Sequence, residues 1–253
     1  MIDRPNMPAG YRLQVFETID STNEELRRQV TNSVLPEGAV IWSRIQTAGK
    51  GRQNRVWVSE PGNMYCSVLF RPQCDMASAA QIGFLPVLAG YDALSELLGK
   101  NLPLRFKWPN DLLLERRKIA GALLEAAVGQ NGVPQWVIAG FGINLNNHPA
   151  ETRFPATNVA EATGQTIAVE SLVTAYCRSL ARWYDTWSEE GFAPVRRQWL
   201  AAAHIPEEPL TVATANENIS GAFKDLDEGG SLVLETKEGS RRFAAGDVYF
   251  PDN

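Results

Sequence analysis

The chain has 253 residues, 44% hydrophobic and 21% charged, with a formal net charge of -5. That is enough apolar material for one large domain, or a large and a small one, and too acidic a balance for a protein whose main task is holding duplex DNA. It offers no run of about 18 apolar residues for a membrane span and no secretory apolar stretch at its start. Its cysteines, Cys66, Cys74 and Cys177, form no CxxC pair, so reduced thiols in a cytoplasmic protein are expected.

Near the start, "YRLQVF" sets Tyr11, Leu13 and Val15 on one face, as a half-buried strand would. In "DSTNEELRRQV", Ser21 with Glu24 has the spacing of a capping box, and Leu26 with Val30 gives the following helix an apolar edge. "AVIWSRI" (39–45) reads as a strand running into "QTAGKGRQNRVW" (46–57), and "NMYCSVLFR" (63–71) as another, with Met64, Cys66, Val68 and Phe70 on one side. A helix is predicted over 78–98, kinked or restarted at Pro86.

"LRFKWPNDLLLE" predicts strand, turn and strand, with Pro109 and Asn110 at the turn. "KIAGALLEAAV" and "QWVIAGFGINLN" flank Asn131-Gly132, the strongest short-range hairpin signal in the chain. A long helix follows around 169–190, where Leu172, Tyr176, Leu180, Trp183 and Trp187 recur at helical spacing and are assigned to the core. "HIPEEPL" (204–210) marks a linker, after which short β-like runs separated by Asn and Gly predict a small β-barrel. The expected domains are therefore 1–204 and 205–253.

Four segments carry chemistry. Lys50, Arg52 and Arg55 fall within the six positions 50–55 of a glycine- and amide-rich loop, which suits a small ligand with negative charge and polar edges. "DSTNEE" would present helix N-terminal N–H groups and small hydroxyls, although capping alone accounts for it. "KWPNDLLLERRKIAG" sets Lys107, Asn110 and Asp111 beside an apolar core, a pattern able to orient phosphate or hold Mg²⁺. There Lys118 stands at the mouth of a strand whose Gly121 permits close approach. In "GFGINLN", Gly140 and Gly142 face one way along a strand and leave a slot. The Walker, GxSxG and Rossmann patterns are all missing from the sequence.

Taken together and in this order, "DSTNEE", "QTAGKGRQNRVWVSEPGNMYCS", "KWPNDLLLERRKIAGALLE" and "GFGINLN" resemble the biotin–protein ligase family over most of residues 11–195. The resemblance implies an α+β fold: a mixed central sheet flanked by helices, followed by a small C-terminal SH3-like β-barrel. It implies adenylation of biotin by ATP to biotinyl-AMP, with Mg²⁺, and transfer to a lysine of a biotin carboxyl carrier protein domain. By motif, Arg52 and Lys118 would be catalytic. Ser21, Thr22, Asn23, Gln46, Lys50, Gly51, Arg52, Trp57, Lys118, Gly121, Gly140 and Gly142 would bind biotin. Lys107, Asn110, Asp111, Asn144, Thr157 and Asn158 would bind ATP, with Asp111 holding the metal.

Two loop positions depart from the family pattern: Lys50 stands for an arginine and Asn54 for a glycine. The tail "GDVYFPDN" lacks the arginine often found there, which leaves the small domain's part open. Only about ten residues precede the first strand, so no N-terminal DNA-binding domain and no operator binding are expected; a homodimer is compatible with the resemblance. The nearest rival is a lipoate or octanoate ligase or transferase on the same fold, and a binding sensor without turnover is the more distant one.

Overall fold

The computed structural model describes residues 5–152, 154–203 and 207–250. Strand β1 (Arg12–Ile19) leads through helix α1 (Thr22–Asn32) to a parallel neighbour, β2 (Ala39–Gln46). β3 (Met64–Phe70) pairs antiparallel with β2. After α2 (Met76–Ala80) and α3 (Leu85–Leu98) come β4 (Leu104–Lys107), β5 (Asp111–Leu114), β6 (Arg117–Val128) and β7 (Pro134–Ile143). These build a seven-stranded mixed sheet in the order β1-β2-β3-β7-β6-β5-β4. The α4 (Val159–Thr163), α5 (Val169–Glu190) and α6 (Phe192–Ala201) helices follow. The chain ends in β8 (Pro209–Ala213), β9 (Asn218–Leu226), β10 (Leu232–Thr236), β11 (Gly239–Phe243) and β12 (Asp247–Tyr249), a five-stranded antiparallel sheet. This is the expected α+β class with its small β unit.

Both faces of the central sheet are covered, and the side-chain alternation decides what each face meets. On β3, Met64, Cys66, Val68 and Phe70 join the large core under α3 and α5, whereas Leu69 turns to a smaller cluster with Leu26 of α1, Ile41 and Ile138. The α5 stripe packs as its spacing predicts: Leu172, Tyr176, Leu180 and Trp187 are buried. Tyr176 stacks on Phe141 with centroids 4.9 Å apart. On β7 the same alternation turns Val137, Ala139, Phe141 and Ile143 into the large core. Gly140 and Gly142 are left facing the α1 side, and that face carries the site.

Local differences have physical reasons. Ser21 stands at the N-cap of α1 but makes no side-chain cap bond, so the predicted capping box does not form. The Thr22 N–H goes to Gln46 Oε1 instead, and Glu24 is drawn to Arg27 and Lys50. The predicted 78–98 helix begins earlier, where Asp75 accepts from Ser78 N at 2.7 Å. It passes through a 3₁₀ turn at 81–84 and restarts as α3 with Pro86 in its first turn, where the missing N–H has no helical partner to lose. At the β6–β7 hairpin Asn131 takes a left-handed φ of 59°, as the Asn-Gly signal implies.

Trp108 is 1% exposed and donates Nε1 to Gly230 O at 3.0 Å, tying the sheet to the C-terminal unit. Phe84 packs on Phe192, and Arg196 pairs with Asp225 at 2.6 Å, in the same seam. The expected boundary at residues 204 and 205 lies outside the described residues, between the end of α6 and the start of β8.

Candidate active site

A cavity of about 480 Å³ opens on the α1 side of the sheet, between the 46–59 segment, the β4–β5 turn and β12. Ser21, Thr22, Asn23, Gln46, Lys50, Gly51, Arg52, Trp57, Lys107, Asn110, Asp111, Lys118, Gly121, Gly140, Gly142 and Asn144 all line it. Segments as distant in the chain as Ser21 and Asn144 thus meet because α1, β2, β5, β6 and β7 all present ends or glycines to one face. Thr157 and Asn158 do not line it, although Phe154 and Ala156 do. Thr157 is fully buried and its N–H donates to Lys118 O, while Asn158 caps α4 by accepting from Glu161 N.

One end of the cavity is neutral and hydrogen-bonded. Ser67 of β3 is fully buried, with its hydroxyl 2.7 Å from Thr22 Oγ1 and 2.6 Å from Asn23 Oδ1. Asn23 Nδ2 donates to Glu125 Oε2 at 2.7 Å, which sets the amide so that its oxygen turns to the hydroxyls. Gln46 accepts from Thr22 N at 2.8 Å and donates to Ser59 Oγ at 2.9 Å. Close approach explains the glycines: a Cβ on Gly140 would lie 2.3 Å from Asn23 Oδ1, and one on Gly142 would lie 2.6 Å from Trp57 Nε1.

The other end is charged. Asp111 is 6% exposed, and its two oxygens meet Lys107 Nζ at 2.8 Å and Lys118 Nζ at 2.6 Å. Burial alone would raise this carboxyl, but the two ammonium groups outweigh it and hold it well below the usual carboxylate range. Burial also lowers the Lys107 ammonium below an ordinary lysine, with Asp111 opposing. Lys107 lies over the Phe154 ring at 3.8 Å. Asp111 was the expected metal ligand; both its oxygens are instead taken by ammonium groups. Among the described residues no three His, Cys, Asp or Glu side chains gather around a common point. This donor set does not fit a resident divalent metal.

The glycine-rich segment folds over these two ends as a small hairpin. Lys50 bridges to Val56, Gly51 N donates to Arg55 O at 2.7 Å, and the turn uses left-handed Gln53 (φ 54°) and Asn54 (φ 59°). Asn54 thus takes the left-handed backbone at the position where the resemblance led to a glycine being expected. Lys50 was expected to face a ligand carboxylate; it lines the cavity but pairs with Glu24 of α1. Arg52 reaches Gly246 O at 3.1 Å and Asn110 Oδ1 at 3.4 Å. Burial lowers its guanidinium from the ordinary value, with Asp247 and Asp111 opposing, and arginine keeps its charge regardless.

Sequence reasoning missed Ser59, Ser67, Glu125 and Asp247. A lone serine or acid in a strand carries no spacing signal; the run "KIAGALLE" includes Glu125 but gives no hint of its partner.

Comparison with known proteins follows the same lines. The pattern of the "Biotin/lipoate A/B protein ligase family" matches residues 15–144, and that of the "Biotin protein ligase C terminal domain" matches residues 207–250. The chain belongs to the biotin/lipoate protein ligase family. A biotin–[acetyl-CoA-carboxylase] ligase of Paracoccus denitrificans is 36% identical over 91% of this chain and 97% of its own length. The bifunctional ligase/repressor BirA of Bacillus subtilis is 29% identical over 92% of this chain and 73% of its own length. Among solved structures, the Aquifex aeolicus biotin protein ligase in complex with biotin and ATP superposes with a TM-score of 0.81, at 24% identity, over 94% of this chain and 97% of that one. That likeness establishes that this ligase fold extends across both domains.

Proposed function

We propose that this ligase-family protein adenylates biotin with ATP and transfers it to one lysine of a biotin carboxyl carrier domain. The observation that carries the reading is one cavity whose neutral end presents hydroxyls and amides and whose other end presents cations, Lys107 buried and Lys118 half-buried, on one carboxylate. The 36% identical Paracoccus ligase supports the same substrates. A ureido ring has two N–H donors and one carbonyl, which suit Thr22, Asn23 and Gln46. A dithiolane has no N–H or carbonyl to exchange for the hydrogen bonds these groups make, which disfavours lipoate.

In the first step an oxygen of the biotin carboxylate attacks the α-phosphorus of ATP, and pyrophosphate leaves. In the second the lysine amine, as the free base, attacks the anhydride carbonyl; the new amide forms, AMP leaves and the amine proton goes to solvent. The protein's share is alignment and charge neutralisation. Arg52 and Lys118 would hold the carboxylate and α-phosphate oxygens, and Lys107 with Asn110 the remaining phosphates. Trp57 would cover the apolar chain lying over Gly142, and the 46–57 hairpin would keep water from the anhydride. Mg²⁺ would arrive as the counter-ion of ATP. No helix among the described residues is long and apolar enough to cross a membrane.

Intact-mass spectrometry of a carrier domain incubated with protein, Mg-ATP and either biotin or lipoate tests this. A biotin-sized gain on one lysine is expected. A gain with lipoate alone would replace the reading with its sister activity.

A further inference from the structure

The ligase reading leaves the C-terminal domain without a task, yet that domain lines the cavity through Asp247 at the start of β12. We propose that Asp247 is a positioning residue of the ligase reaction: it anchors the arginine hairpin through Arg55 and yields Arg52 to the substrate's anionic oxygens. The inference rests on the adenylation reading above.

The contacts are unequal in a way that separates the two arginines. Asp247 Oδ1 accepts from Arg55 Nη2 at 2.9 Å but lies 3.7 Å from Arg52 Nη1, beyond hydrogen-bond reach. Arg55 also donates Nε to the carbonyl of Arg52 at 3.0 Å. Its guanidinium therefore joins the hairpin turn to the second domain, 192 positions away in the chain. Among the described residues the hydrogen bonds of Arg52 go to the neutral acceptors Gly246 O and Asn110 Oδ1, with Asp247 a longer ion-pair partner. A phosphate or carboxylate oxygen makes shorter, charge-assisted bonds and would take Arg52 from those acceptors while Arg55 stays in place.

Asp247 is 7% exposed, so its carboxylate is shielded from water and depends on the arginines for compensation. The groups facing it are Arg52, Arg55 and, a little further off, Lys107, whose Nζ lies 3.4 Å from Val248 O. The tail "GDVYFPDN", which lacks the arginine often found there, thus brings an acid to the site. That acid cannot bind phosphate, but it can fix the residue that shapes the lid. Hairpin position and domain docking become one equilibrium: releasing Asp247 releases the cover over the labile anhydride.

The test compares the full-length parent with Asp247→Ala, Asp247→Asn, Arg55→Ala and Arg55→Ala/Asp247→Ala. Each is loaded with biotin and labelled ATP, and the half-life of enzyme-bound biotinyl-AMP is followed by rapid filtration, beside thermal melting and biotin affinity. Expected is about a tenfold shorter half-life in each single variant, with biotin affinity within about twofold of the parent, and a double variant no worse than the singles, as coupled residues require. The exchanged pair Arg55→Asp/Asp247→Arg should recover part of the half-life, and a purely structural role would instead lower melting temperature and biotin affinity together with it. Should Asp247→Ala fail to fold, the isosteric Asp247→Asn and the Arg55→Ala variant carry the comparison. A folded Asp247 variant that holds the adenylate as long as the parent would overturn this inference alone. A parent that forms no biotinyl-AMP would overturn the ligase reading as well.

Discussion

The two ends of the cavity solve the problem of waiting for a ligand in opposite ways. At the neutral end, Thr22, Asn23, Gln46, Ser59 and Ser67 bond to one another, and only rearrangements of hydrogen bonds are needed on binding. At the charged end, Lys107 and Lys118 are balanced by Asp111, and Arg55 by Asp247. Buried cations without partners would be costly, so resident carboxylates take the place that substrate oxygens later share. The lesson is that a charged subsite needs its counter-charges built in, whereas a neutral one needs only mutual hydrogen bonds.

Substitutions should separate the two ends. The largest effect is expected from Lys118→Ala: ATP–pyrophosphate exchange should fall by about 100- to 1,000-fold, the range for losing one donor to developing charge. Isothermal titration should show biotin affinity falling far less; an equal fall in both would mean that the ends do not act separately. Next is Asn23→Ala, which removes the amide facing the ligand, leaves Ser67 with Thr22 alone and takes the amide donor from Glu125. Leaving a buried polar group unpaired costs about 1–3 kcal/mol, so biotin should bind roughly 5- to 150-fold more weakly with the KM for ATP unchanged. An altered ATP KM would blur the division.

Gly142→Ala would bring a methyl against the Trp57 ring. A several-fold loss in kcat/KM for biotin is expected, visible together with altered tryptophan fluorescence; parental kinetics would show that Trp57 has room to move. A pH series addresses the charged end. Burial lowers the Lys107 ammonium, so it loses its proton below the ordinary lysine value of about 10.4 as pH rises. The KM for ATP should then climb on the alkaline side before that value, while biotin affinity measured without ATP stays flatter.

The smallest effect belongs to Glu24, which anchors Lys50. Its hydrogen bond from Lys50, helped by Arg27 and opposed by burial, holds the carboxyl below its ordinary value. The folded state therefore binds fewer protons than the unfolded one. Its stabilising share is complete above about pH 4.3 and disappears as pH falls through the lower folded value. Thermal melts of parent and Glu24→Gln should converge as pH drops from 7 towards 3, and a gap that widened would contradict the assignment.

Much of this was legible before any coordinates. Hydrophobic period placed the long 169–190 helix and the β3 core face, and the Asn-Gly pair placed the β6–β7 hairpin, because burial and turn geometry leave local marks in sequence. The four motifs brought nearly every lining residue with them. Short-range pattern misled at Ser21, whose N–H goes to Asp20 while Glu24, the other half of the box, is drawn to Arg27 and Lys50, and it gave no sign that two lysines would stand on Asp111.

By itself, then, the sequence determined the elements, the family and the chemistry of the loop, since these depend on residue types and their near neighbours. Tertiary structure alone decided which charges offset one another. Glu125 reaches Asn23, and Asp247 reaches Arg55, across 102 and 192 positions. Such pairs follow from strand order and from the docking of the second domain against the first, and a single acid in a strand carries no mark of the partner it will meet.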